Sequence, residues 1–195
     1  MKVFASVMVP ALFLASLAAN AQEAPAADAG SLKGKYGVVI HEDCVFSPSG
    51  FGPGPLFQPL GATSRGGGTL QGTATLRSDG TGEMALDGAF LGTSASLTPA
   101  LGYALTCPLQ YTITAGGDFA AKYSCTGVTT IGTGSQIGLE ISHDGMQVRG
   151  HARGKRFVLA ASTAFAIETA AGTLAPPAPR MCHRTFQLLK TPAGE

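Results

Sequence analysis

From Gly34 onward, apolar side chains recur at every second position, the period of a strand with one buried face. Lys35 to Phe46 places Tyr36, Val38, Ile40, Cys44 and Phe46 on one face, with the charged Glu42 among them. Hairpins follow from asking where both faces match at once, because a slip of one residue inverts every side chain. Around Ser78-Asp79-Gly80-Thr81-Gly82 the match puts Leu76 opposite Met84, Ala74 opposite Leu86 and Leu70 opposite Phe90, with Arg77 meeting Glu83 outside. Around Ala115-Gly116-Gly117 it puts Ile113 opposite Phe119, Tyr111 opposite Ala121, Leu109 opposite Tyr123 and Cys107 opposite Cys125. Asp144-Gly145 is a two-residue turn signal that predicts Ile141 opposite Val148, Leu139 opposite Gly150 and Ile137 opposite Ala152. Arg153-Gly154 predicts a further hairpin, with Val148 opposite Leu159 and Phe157 covering the strand glycine Gly150.

Closure is the next step. With the first and last strands antiparallel, Val38 meets Leu188, Ile40 meets Phe186, Glu42 meets Arg184 and Cys44 meets Cys182. The expected fold is therefore all-β: an antiparallel meander closed into a small barrel of about eight to ten strands, with a two-sheet β-sandwich as the alternative. Antiparallel closure of a meander requires an even number of strands. Ser47 to Gly68 reads as a long Gly/Pro loop holding Phe51, Leu56, Phe57 and Leu60. A loop of that length in a compact domain is more often a functional flap or a mobile segment than a simple connector. Ala170 to Pro179 reads as a Pro-rich crossing loop and Met181 to Lys190 as the last strand.

The amino-terminal residues follow a different pattern. Lys2 is followed by an almost wholly apolar run from Val3 to Ala18 and by the small-x-small box Ala19-Asn20-Ala21. That order is read as a signal peptide over residues 1–21, and its apolar run is too short for a bilayer span. Residues 22–33 read as a flexible leader and 34–195 as a single β domain. Export places the protein in the periplasm or outside the cell, where four cysteines favour disulfides. The hairpin and closure registers pair Cys107 with Cys125 and Cys44 with Cys182. No C-x-x-C occurs, so the cysteines signal neither a zinc knuckle nor a redox pair.

Composition narrows the function classes without choosing one. The chain has 13 Lys and Arg against 12 Asp and Glu, so removing Lys2 leaves 13 − 1 = 12 of each. That balance offers no basic stripe for nucleic acid and no polybasic patch for anionic lipid. No later segment is long and apolar enough to span a membrane. Gly66-Gly67-Gly68-Thr69 lacks phosphate-loop spacing, and no G-x-S-x-G nucleophile elbow is present. With no catalytic or cofactor motif, the chain reads as non-enzymatic. A metal-dependent or hydrolytic enzyme stands third among the function classes. Its metal would use His41, Asp43 and His183, whose commoner role is a solvated Asp–His pair beside a disulfide. His143 and His151 read as surface residues.

Glu42 and Arg184 differ from these groups because they fall on the apolar face, where charges are costly unless paired or solvated. Gly34-Lys35-Tyr36 at the start of the first strand, with Arg184 on the last, resembles the calycin-type barrels that include the lipocalins. Those proteins place Gly-x-Trp beneath a basic residue of the last strand; here Tyr36 stands for the Trp. The resemblance implies a barrel that holds a small apolar ligand. Glu42 and Arg184 would then orient a polar head at the mouth, with Phe51 and Phe57 on a flap above. The alternative is a structural or interaction module of the cell envelope in which Glu42 and Arg184 only tie two strands together.

Overall fold

The computed structural model describes residues 26–27, 32–54, 56–92, 101–131, 136–142, 148–154, 156–162, 167–172 and 175–192. The strands are β1 (Ala26–Ala27), β2 (Gly34–Phe46), β3 (Ser64–Leu76), β4 (Thr81–Gly92), β5 (Leu101–Thr114) and β6 (Asp118–Tyr123). They continue as β7 (Cys125–Ile131), β8 (Gln136–Ser142), β9 (Val148–Arg153), β10 (Phe157–Ser162), β11 (Ile167–Gly172) and β12 (Ala175–Lys190). All belong to one antiparallel sheet whose hydrogen bonds form a closed ring.

Two circuits share β2, β3, β4, β5 and β12. One closes through β6, β9 and β10, the other through β7, β8 and β11. β6 and β7 continue one register along β5, with Leu109 opposite Tyr123 and Leu105 opposite Gly127, and part only at Ser124. Their neighbours part at corresponding places: β8 ends at Ser142 and β9 starts at Val148, while β10 ends at Ser162 and β11 starts at Ile167. Each circuit therefore has an even membership, as antiparallel closure demands.

The closing register is the one the side chains predict. Val38 faces Leu188, Ile40 faces Phe186, Glu42 faces Arg184 and Cys44 faces Cys182. Both expected disulfides are formed, Cys44–Cys182 and Cys107–Cys125, each with Cα atoms 4.1 Å apart.

Other registers need correction. In the β3–β4 hairpin Ala74, not Leu76, faces Met84, and Gly88, not Phe90, faces Leu70. The Asp79 carboxylate accepts from the Thr81 amide at 2.9 Å and hydroxyl at 2.7 Å, so the turn closes from Arg77 to Thr81 and slides the pairing by two residues. At β9–β10 the shift is odd: Phe157 faces Arg153 and Ala160 faces Gly150. The connection there holds one residue more than a two-residue turn, and Gly154 takes φ +59°, a conformation that favours glycine. An odd slip inverts the face, so Val158 and Ala160 point inward and Leu159 is 50% exposed. β8 and β9 do not pair with each other among the described residues. β8 lies between β7 and β11, and β9 between β6 and β10. Asp144-Gly145 lies outside the described residues.

Strands also reach into two expected loops. Ser64 to Gly68 belongs to β3, and Ala170 to Pro179 is largely β11 and β12. The aromatic covering a strand glycine is Phe90, whose ring occupies the space a Gly66 side chain would fill. At Gly72 the β4 backbone approaches so closely that a Cβ would collide with the Ala85 carbonyl. Such tight glycine positions curve a sheet toward closure.

The core lies inside the ring. At the end formed by the short turns after β3, β5 and β9 it is apolar, built from Tyr36, Leu76, Met84, Leu109, Ile113, Phe119, Val158 and Leu188. Within the expected leader, Ala26 and Ala27 pair with Thr114 and Ile113, and Leu32 is fully buried. Leu32 is held where its carbonyl accepts from the Tyr36 hydroxyl at 2.8 Å.

Candidate functional site

The opposite end carries the longer connections, and its interior is polar. Glu42 and Arg184 sit on facing strands, and the Arg184 Nε donates to the Glu42 carboxylate at 2.8 Å. Both are buried, at 4% and 3% exposure. The Arg184 backbone is itself fixed. Its amide donates to the Ser162 hydroxyl at 2.8 Å, where β12 changes neighbours from β10 to β11. Arg180 lies two inward positions back along β12 at 2% exposure, with its guanidinium carbon 6.0 Å from the centre of the Phe46 ring.

Aromatic rings complete the cluster. Phe90 meets Phe46 edge-on at 5.6 Å and Tyr103 at 6.4 Å. Burial, reinforced by the Glu42 carboxylate, pushes the Tyr103 phenol up against the opposing pull of the Arg180 and Arg184 guanidiniums. Thr129 faces Tyr103 across β5 and β7, and its hydroxyl is buried with no hydrogen-bond partner. The space between Glu42, Tyr103, Tyr123, Arg180 and Arg184 amounts to a cavity of about 10 Å³, room for roughly one water. Neither Phe51 nor Phe57 lines it.

Both of those phenylalanines lie on the connection between β2 and β3. Phe51 forms a bridge with Pro59. Phe57 has φ +40°, uncommon for a residue with a side chain, and its ring lies against Gly54. The connection is tied back on itself, with Gly52 N donating to Gln58 O at 2.7 Å and Leu60 N to Gly50 O at 3.0 Å. Leu56 and Leu60 protrude at 78% and 62% exposure.

Asp43 and His183 face each other in register, both exposed, on the outside of the ring. His41, also outside, contacts the Thr69 hydroxyl through Nδ1 at 3.2 Å. Among the described residues, ligand-type atoms within 4.8 Å of one another occur at Glu42, Cys44 and Cys182. Both sulfurs there are in a disulfide, and thiolate is the metal-binding form. The cation above the Tyr36 ring is Lys190, at 5.8 Å, whereas Arg184 is engaged with Glu42 further along the strand.

Sequence reasoning missed Arg180 and Thr129. Arg180 could have been found by counting two residues back from Cys182 on the same strand face. Comparison with protein-family models, curated proteins and solved structures returns no match.

Proposed function

We propose that this chain is an exported, non-catalytic β-barrel domain that acts through its outer surface, as a structural or interaction module of the cell envelope. The observation that carries this reading is the filled interior. Among the described residues, the spaces between the core side chains measure about 10 and 20 Å³, whereas ligand pockets are usually ~300 Å³ or more. The buried Glu42–Arg184 pair then serves to specify the register of first strand on last, the best-attested use of such pairs. The signal-like residues 1–21 and the two disulfides are consistent with an oxidising periplasmic or extracellular setting.

A second reading draws on one observation, the unpartnered Thr129 hydroxyl in the polar half. In it, a small amphipathic ligand enters as the connection bearing Phe51 and Phe57 moves aside, and its polar head meets Glu42 and Arg184. Native mass spectrometry of protein from its own host tests the two. The first predicts the mass of the mature polypeptide with two disulfides and nothing more. A retained lipid or pigment would overturn it in favour of the second.

A further inference from the structure

The β2–β3 connection is the longest between consecutive strands. Residues 47–63 contain no Asp, Glu, Lys or Arg. The turn end differs, with Lys33, Arg77, Asp79 and Arg156 in or beside its connections. At the end that carries this connection, Arg65, the second residue of β3, is exposed, Leu56 and Leu60 protrude, and Leu91 on the outside of β4 is 60% exposed.

We propose that the 47–63 connection is a lipid-facing tip that seats the protein on a bilayer of neutral headgroups, with Leu56 and Leu60 entering the acyl boundary. The inference rests on the surface-acting reading above and names the surface and the partner. Exposed apolar groups of this kind mark either a protein or a membrane contact. Three features favour lipid. A protein interface has a polar rim and is enriched in Arg, and this connection offers no charge to such a rim. Hydrocarbon, by contrast, strongly disfavours charged side chains and unpaired backbone groups. Pro48, Pro53, Pro55 and Pro59 have no N–H to satisfy, and the amides of Gly50, Gly52 and Leu60 are bonded within the connection. Finally, Phe57 packs against Gly54 in its left-handed conformation while its neighbour Leu56 stands out in solvent. The tip itself carries no basic residue, and on a neutral bilayer the exposed Arg65 at its base gains no net attraction, so binding there is insensitive to salt.

The absence of any Trp supplies the experiment. Leu56→Trp gives a mature protein with a single indole at the tip, and Leu159→Trp gives one on the side of the ring. Each is mixed with phosphatidylcholine vesicles at low and high salt. The expected result is a blue-shifted emission, quenched by brominated acyl chains, for Leu56→Trp alone and unchanged by salt. Flotation of the Trp-free protein with the same vesicles should fall more than tenfold in Leu56→Asp/Leu60→Asp, whose thermal unfolding stays that of the parent. An unshifted Leu56→Trp together with failure of the Trp-free protein to float overturns the proposal. So does binding confined to anionic vesicles and abolished by salt. A blue shift without vesicles that grows with protein concentration assigns the tip to a second copy of the chain and also overturns it. None of these outcomes yields a retained small molecule in native mass spectrometry, so failure here and failure of the surface-acting reading are distinguishable.

Discussion

At the turn end of the ring the interior is closed by Leu32, and two buried tyrosines, Tyr36 and Tyr111, each donate to a backbone carbonyl, of Leu32 and Arg77. At the other end it is closed by Glu42, Arg180 and Arg184 beneath Phe46 and Phe90. Apolar packing is non-directional, so the first arrangement can lose one contact and still exclude water. Buried charges are different: each is stable only while its partner is present. The ring thus joins a half that is specified by volume to a half that is specified by pairing, with a disulfide in each of the two registers that hold it together.

The largest expected effect separates those two disulfides. Cys44–Cys182 spans a sequence separation of 138 and Cys107–Cys125 one of 18. In the chain-entropy model they are worth about 5 and about 3 kcal/mol. Cys44→Ala/Cys182→Ala and Cys107→Ala/Cys125→Ala, compared by urea unfolding, should keep that order. A reversed order would mean that Cys44–Cys182 is not what secures the ring's closure.

Next comes the ion pair. Arg184→Met removes the Nε bond that the buried Glu42 carboxylate accepts, with Arg180 remaining as the other cation of the cluster, and should cost about 3–5 kcal/mol, whereas Glu42→Leu/Arg184→Leu should cost less. Equal losses in the single and double variants would show that packing, not pairing, specifies this half.

The smallest effect belongs to the turn end. Burial, with a lesser contribution from Tyr111, pushes the Tyr36 phenol from 10.0 up to about 12. Its folded value lies above its unfolded one, so the neutral phenol contributes stability that is fully present below pH 10.0 and is lost as pH rises through about 12. Thermal melts taken across that window should fall, and Tyr36→Phe should flatten the fall while lowering stability slightly at neutral pH through the lost bond to Leu32. An unchanged alkaline profile in Tyr36→Phe would assign the fall to other groups.

What the sequence made legible follows the number of independent constraints at each place. The β2–β12 and β5–β6 registers were fixed by two alternating faces and a cysteine pair acting together, and they hold residue for residue. The β3–β4 register had face alternation alone, which an even slip satisfies equally well, so the hydrogen bonds of Asp79 decided it. At β9–β10 the extra turn residue broke even the parity. The β8–β9 hairpin failed because a strong local turn signal cannot show that both flanking strands will find partners elsewhere. Glu42 and Arg184 were visible as charges on an apolar face. Arg180 was hidden by Pro176, Pro177 and Pro179, which disguise the start of β12 as a loop.

The closing register also brings the two ends of the β domain side by side. Lys190 pairs with Tyr36, its ammonium donates to the Lys33 carbonyl at 2.7 Å, and the Thr191 amide donates to the Lys35 carbonyl at 3.0 Å. A short linker could join them at the cost of β1 and Leu32, and the chain could instead be opened in the exposed turn at Asp79–Gly80 without removing a pairing among β2 to β12. Such a circular permutant would begin at β4 and end at β3, with Cys44 and Cys182 still opposite each other. Which strand counts as the first is then a matter of where translation starts, while the ring itself is indifferent to it.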